Sequence, residues 1–215
     1  MWSIPGTRPV VDSQWRTAGS TPTARTPRRC SCTILPASTV SWHRPAAASI
    51  IRANFDAVEQ TPEVKDVRTR TYELVEFLHD IQKPDAFPWA RFPHRVGLHN
   101  GCGTLRALKH AKPSELNEPF FSKPMDLLAK VEGIQFVKPV RPDECCGFGG
   151  TFSVFEEVVS TKMGYDKVSD HARAGAEYIV SADSSCLMHQ QGCAERIGVP
   201  IKFIHIAQIL NGASA

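Results

Sequence analysis

Short apolar runs that alternate with helix-patterned stretches predict an α/β domain, a mostly parallel sheet with flanking helices, preceded by an irregular amino-terminal segment. Three observations carry that expectation. The runs at 95–99, 134–137, 178–180 and 201–204 are too short for helices and lie between stretches with apolar residues at helical spacing. The 215 residues are 42% hydrophobic, which is ordinary for a soluble protein and allows one sizeable core. Composition changes abruptly near residue 50.

Residues 1–50 hold six Arg and one Asp, with no Lys, Glu, Phe or Tyr, and Ser, Thr, Pro, Arg and Ala fill 32 of the 50 positions. Six prolines, from Pro5 to Pro45, interrupt any period of 2 or 3.6. This segment is a poor candidate for a core and is expected to be irregular or disordered. Its Arg and Ser content superficially resembles a transit peptide, but three Trp and six Pro fit an amphipathic targeting helix badly. The domain is expected to run from 51 to 215.

Within that domain, Thr61-Pro62-Glu63 reads as an N-cap, a proline at the first helical position and an acid in the first turn. Val64, Val67, Thr71, Leu74, Val75 and Leu78 follow at helical spacing, so one helix is expected across them. Residues 84–93 form a loop between two prolines, and 95–99 suit a buried strand that ends at Asn100-Gly101. Helical pieces follow at 104–110 and 125–131, then a strand at 134–137 and the turn-rich Cys145-Cys146-Gly147-Phe148-Gly149-Gly150. Phe155, Val158, Val159 and Met163 form a helical stripe closed by Gly164, and 166–176 are expected to be a further helix. A strand at 178–180, a strand at 201–204 and a closing helix carrying Ile206, Ile209 and Leu210 complete the pattern.

The net charge of +3 divides into +5 over residues 1–50 and −2 over the remainder. A nucleic-acid protein would carry a basic domain or stripe, and the part that reads as folded is mildly acidic. No uninterrupted apolar stretch approaches the ~18 residues of a membrane span. The seven cysteines are odd in number, and residues 1–20 lack an apolar run followed by a cleavage site, so a secreted disulfide framework is not expected.

The placement of the cysteines is the chemical signal. Cys102, Cys145, Cys146 and Cys186 each fall just past the carboxyl end of an expected strand. In an open parallel sheet those loops share one edge, where ligands bind. Thiolates gathered in one place most often hold either an iron–sulfur centre or a tetrahedral zinc. Spacing favours the first, because no Cys-x-x-Cys pair is present and Cys186 to His189 offers Cys-x-x-His instead. Adjacent Cys145 and Cys146 are awkward for one zinc, because neighbouring side chains diverge, and suit a multi-iron cluster. Gly147, Gly149 and Gly150 remove side chains where the backbone would fold around a bulky inorganic core. His99 is read either as a packed histidine or as a hydrogen-bond donor to sulfur. Arg106, Lys109 and His110 are read as a solvated basic face or as charge compensation, Cys193 as a structural thiol, and Cys30-Ser31-Cys32 as no specific metal site.

The segment 145–154, with His99-Asn100-Gly101-Cys102 before it and Ser184-Ser185-Cys186-Leu187-Met188-His189 after it, resembles the cysteine-rich CCG domain. The chain resembles the lactate-utilisation protein A family, related to the iron–sulfur subunit of glycolate oxidase and to the CCG-containing subunit of heterodisulfide reductase. The likeness runs from about Arg52 to Leu210 and includes the ending Phe203-Ile204-His205-Ile206-Ala207-Gln208. The resemblance implies a cysteine-ligated iron–sulfur cluster of the four-iron, four-sulfur type, held by Cys102, Cys145, Cys146 and Cys186 with Gly147 beside them. In the heterodisulfide reductase relatives a further Cys stands where this chain has His189, so His189 is either a nitrogen ligand or outside a simpler cubane. The implied role is electron transfer within a cytoplasmic complex that oxidises L-lactate, with other subunits and electron donor or acceptor proteins as partners. The family has two such halves and this chain matches the second only. Residues 1–50 are accordingly expected to be an out-of-frame or misassigned start. Two other classes remain open from the residues alone: a zinc-stabilised interaction module and a thiol-disulfide oxidoreductase using Cys145 and Cys146.

Overall fold

The computed structural model describes residues 41–43 and 45–213. The expectations for residues 1–40, including Cys30 and Cys32, lie outside the described residues. Strand β1 (Ser41–His43) stands ahead of the boundary expected at 51, and helix α1 (Pro45–Asn54) runs across it. Pro45, read as an interruption, is the first residue of α1, where its missing N–H leaves no helical hydrogen bond unmade.

The single helix expected from Thr61 to Leu78 is divided. Helix α2 (Pro62–Arg70) starts as its signals predict, with the Thr61 hydroxyl accepting from the Val64 N–H at 3.3 Å. It buries none of its residues, and the chain then extends into β2 (Thr71–Glu73), which pairs in parallel with β1. Thr71 and Glu73 are buried, so the pull of this small sheet outweighs the helical period. The Glu73 carboxylate caps the next helix, α3 (Leu74–Glu76), accepting from the Val75 N–H at 2.7 Å. A π-helical segment, Phe77–Gln82, extends α3.

The main sheet has four parallel strands in the order β4 (Gln135–Val137), β3 (Arg95–Leu98), β5 (Tyr178–Ser181) and β6 (Lys202–His205). Val96 lies beside Phe136 on one flank and Tyr178 on the other, and Val180 lies beside Ile204. All four residues of β5 are buried, as expected of a central parallel strand covered on both faces. Alternation divides them between two cores. Tyr178 and Val180 join Val96, Phe92, Leu127, Leu128, Ile206 and Ile209 on one face, beneath α4 (Lys123–Leu128) and α8 (Ile206–Leu210). Ile179 joins Val168, Leu187, Cys193 and Ala194 on the other, beneath α6 (Glu157–Arg173) and α7 (Ser184–Ile197). A short helix, α5 (Phe152–Phe155), precedes α6. The expected α/β class with a mostly parallel sheet is therefore the observed one.

Gly164 does not close a helix. Helix α6 runs through it as one 17-residue element, replacing the two helices expected there. A Cβ at Gly164 would lie 2.4 Å from the Cys193 sulfur and 2.9 Å from His189 Nε2, so the glycine marks where α7 crosses closest. Gly97 is similar, since a Cβ there would lie 2.2 Å from Nδ1 of His171.

The ending Phe203 to Gln208 has a local cause. His205 caps α8 by accepting from the Ala207 N–H at 3.1 Å, while Gln208 accepts from the His205 N–H at 3.0 Å. The other ring nitrogen of His205 lies 2.8 Å from the Ala182 carbonyl, tying β6 to the loop that follows β5.

Two glycine substitutions on the packed helix pair should act with opposite sign. Gly164→Ala is expected to lower stability by about 1–3 kcal/mol through overpacking against Cys193. Gly192→Ala, in α7 with open space at its Cβ position, is expected to raise it by about 0.5–1 kcal/mol. Urea unfolding of both variants checks the pair.

Candidate metal centre

Strand β3 leads to His99 and Cys102, the loop after β4 carries Cys145 and Cys146, and the turn after β5 carries Cys186. Asp183 caps α7 by accepting from the Ser185 N–H at 2.9 Å, which places Cys186 in the first turn of that helix. The connection from β3 goes to one neighbour, β4, and that from β5 goes outward to β6. The two loops that diverge between β3 and β5 form the crevice where parallel sheets bind ligands. His99 is fixed there by its own N–H, which donates to the Val180 carbonyl at 2.8 Å.

The four sequence-predicted thiols converge. Cys102 hydrogen-bonds Cys145, Cys145 contacts Cys146, and Cys146 in turn contacts Cys186. None is in a disulfide, and exposure falls along the series: Cys102 exposed, Cys145 half-buried, Cys146 and Cys186 buried. Among the described residues one group of donors lies within 4.8 Å of each other, formed by His99, Cys146 and Cys186. His189 is not brought into that group. Its Nε2 lies 3.3 Å from the Ser160 carbonyl and 3.9 Å from the Cys193 sulfur, and its ring lies 6.0 Å from Phe148. Cys193 itself packs in the core beneath α6 and α7.

Electrostatics show what so many thiols in one place require. Hydrogen bonds from Cys102 and Cys146, and the Gly147 N–H at 3.4 Å, pull the Cys145 thiol far below its usual value. Cys102 is pushed up by its hydrogen bond to Cys145 and by burial, and Cys146 by its hydrogen bonds to Cys145 and Cys186. The opposed directions are those of thiols too close to ionise together, because like charges this near repel. A bound cation removes that repulsion, so the donor set fits a metal better than it fits free thiols. Both ring nitrogens of His99 are buried without a hydrogen-bond partner, which marks the same need.

The loop before Cys145 is held from beneath. Lys167, fully buried on α6, donates to the carbonyls of Arg141 at 2.7 Å and Pro142 at 3.0 Å. Asp170 accepts from the N–H groups of Val140 at 3.2 Å and Arg141 at 2.8 Å. Gly147 has φ +92, and a Cβ there would lie 2.5 Å from the Ser160 carbonyl. Its demand for glycine thus comes from the close approach to α6. Sequence reasoning missed Lys167 and Asp170, which look like ordinary charges on a helix. Of the two readings left open for His110, the solvated basic face does not hold, since His110 is fully buried, with Nδ1 3.4 Å from the Glu73 carboxylate. Burial drives Glu73 up to about 7 and His110 down to about 4, so the two do not form an ion pair of full charges.

Parallel strands that deliver thiols from three loops to one sheet edge define a cysteine-rich domain, and residues 96–191 match the family described as "Cysteine-rich domain". The chain is 36% identical over 149 residues to Lactate utilization protein A of Lysinibacillus sphaericus, covering 69% of this chain and 60% of the relative. It is 37% identical over 147 residues to the protein of that name from Halalkalibacterium halodurans, covering 68% and 56%. For Geobacillus thermodenitrificans the identity is 34% over 153 residues, covering 71% and 59%. The chain is thus similar to these proteins over residues that span 56–60% of their length. No helix among the described residues is long and apolar enough to cross a membrane.

Three buried histidines set the acid sensitivity. Burial holds His171 down at about 3, His110 at about 4 and His99 well below its ordinary 6.5. Each contributes stability that is complete above 6.5 and lost as pH falls toward its folded value. Glu73 acts oppositely: its folded value of about 7 exceeds the ordinary 4.5, so its contribution fades as pH rises through that window. Stability should therefore decline below about pH 6.5, and Glu73→Gln should steepen the decline by removing the opposing slope. Urea unfolding at roughly pH 5 and roughly pH 7.5 checks both.

Proposed function

We propose that this domain holds an iron–sulfur cluster on Cys102, Cys145, Cys146 and Cys186 and relays electrons in the oxidation of L-lactate. The observation that carries the reading is the convergence of four unpaired thiols from three loops in the crevice between β3 and β5. The substrate class follows from the name of its relatives, Lactate utilization protein A. Such a cluster, when bound, supplies one-electron transfer. Cys146 and Cys186 hold it from the buried side and keep water out, while Cys102 stands at the exposed edge. Electrons would enter or leave on that side, from a partner subunit that oxidises the substrate. Lys167, fully buried beneath the loop, places a cation within electrostatic reach of Cys146 and offsets thiolate charge.

Anaerobic purification should give brown protein with stoichiometric iron and sulfide. Cys146→Ser should lose most of the visible absorbance, whereas Cys193→Ser should keep it. Colourless protein with one tightly bound zinc would overturn the iron assignment. Metal-free protein with a reversible Cys145–Cys146 dithiol would replace electron relay with thiol-disulfide exchange.

A further inference from the structure

Four thiols account for an all-sulfur ligand set, yet they leave one polar group of the same crevice unexplained. His99 is 1% exposed, and neither Nδ1 nor Nε2 has a hydrogen-bond partner among the described residues. A buried nitrogen left in that state keeps its desolvation penalty uncompensated, and natural structures hold few of them. His110 and His171 are also buried with neither ring nitrogen hydrogen-bonded, so what distinguishes His99 is its place among the sulfurs.

The position of the ring supplies the reason. One of its nitrogens shares with the sulfurs of Cys146 and Cys186 a space in which no two donor atoms are more than 4.8 Å apart. Metal–sulfur bonds of about 2.3 Å and metal–nitrogen bonds of about 2.0–2.1 Å put two donors of one ion at most about 4.5 Å apart, so a metal bound by either sulfur comes within a small adjustment of the His99 nitrogen. The ring sits on the end of a central strand, with its backbone N–H bonded to Val180, and strand ends place ligands more rigidly than loops do.

We infer that His99 ligates the metal of this centre directly through a ring nitrogen, giving mixed sulfur and nitrogen ligation beside Cys146 and Cys186. The inference rests on the reading that the thiol crevice holds a metal. Its consequence is electronic. Imidazole is neutral where thiolate is charged, and replacing sulfur by nitrogen donors raises the reduction potential of iron–sulfur centres. Each nitrogen that replaces a thiolate also leaves one Cys free of that metal. The exposed Cys102 is the least enclosed of the four.

The test uses the full chain with histidine labelled by nitrogen-15, reconstituted anaerobically with iron and sulfide and reduced to its paramagnetic state. Pulsed electron paramagnetic resonance is expected to show a hyperfine coupling of the size given by a directly bound imidazole, with the isotope change in the labelled sample. His99→Ala should lose that coupling, and His99→Cys should lower the midpoint potential. Because the coupling is read in the unsubstituted chain, a variant that fails to fold does not decide the matter. Iron bound with only the weak coupling of a hydrogen-bonded or distant nitrogen overturns the ligation while leaving the iron–sulfur reading intact. Where the protein takes zinc instead, the same labelled measurement on cobalt(II)-substituted protein reads the bond, and its absence overturns the inference. Failure to bind iron, zinc or cobalt overturns both readings.

Discussion

Thiols crowded at the edge of a parallel sheet repel one another once ionised, and much of the domain is arranged around that constraint. The sheet order β4-β3-β5-β6 sends consecutive chain segments to opposite sides of one crevice, so residues about forty positions apart in sequence meet there. Convergence of this kind is inexpensive in backbone terms, because each loop simply continues its strand. Its cost is electrostatic. With Cys145 drawn to the thiolate and Cys102 and Cys146 driven the other way, the crevice resolves its crowding by keeping protons.

The support beneath the site follows from the same constraint. The loop of residues 138–150 crosses the sheet edge without regular structure, so its backbone groups need partners from elsewhere. Lys167 and Asp170, three residues apart on α6, supply them: the ammonium takes two carbonyls and the carboxylate takes two N–H groups. Asp170 also offsets the charge of the buried lysine. Gly147 lets the same loop press against Ser160, and Gly164 lets α7, which carries Cys186, press against α6. The loop with Cys145 and Cys146 and the helix with Cys186 are thus registered against one rod, α6, which makes their mutual distance a property of helix packing.

The strands of the main sheet and the thiol set were legible because each rests on local information: apolar runs of three to five residues, and cysteines just past them. What escaped depends on distant partners. Residues 71–73 became a strand because residues 41–43 pair with them, and no periodic signal marks those positions. Gly164 reads as a helix terminator, yet its meaning is the sulfur of Cys193 on another helix. His110 has the composition of a basic surface stretch, Arg106 to His110, and only the fold reveals that Glu73 lies opposite it in the interior. His99 stood undecided between packing and function, since a sequence can place an imidazole at a strand end but cannot show that both nitrogens lack partners there.

These buried polar groups give the domain an unusual energetic profile. Three neutral histidines and one lysine occupy interior volume that apolar side chains would fill at lower cost. The two apolar clusters on either side of the sheet must offset that burden. Whatever binds the crevice contributes its binding free energy to folding, because the unfolded chain holds no preformed site. Fold and site are therefore coupled most tightly where β3, β5 and the Cys145 loop meet: the donor set is costly when empty, and filling it stabilises the strand ends that create it.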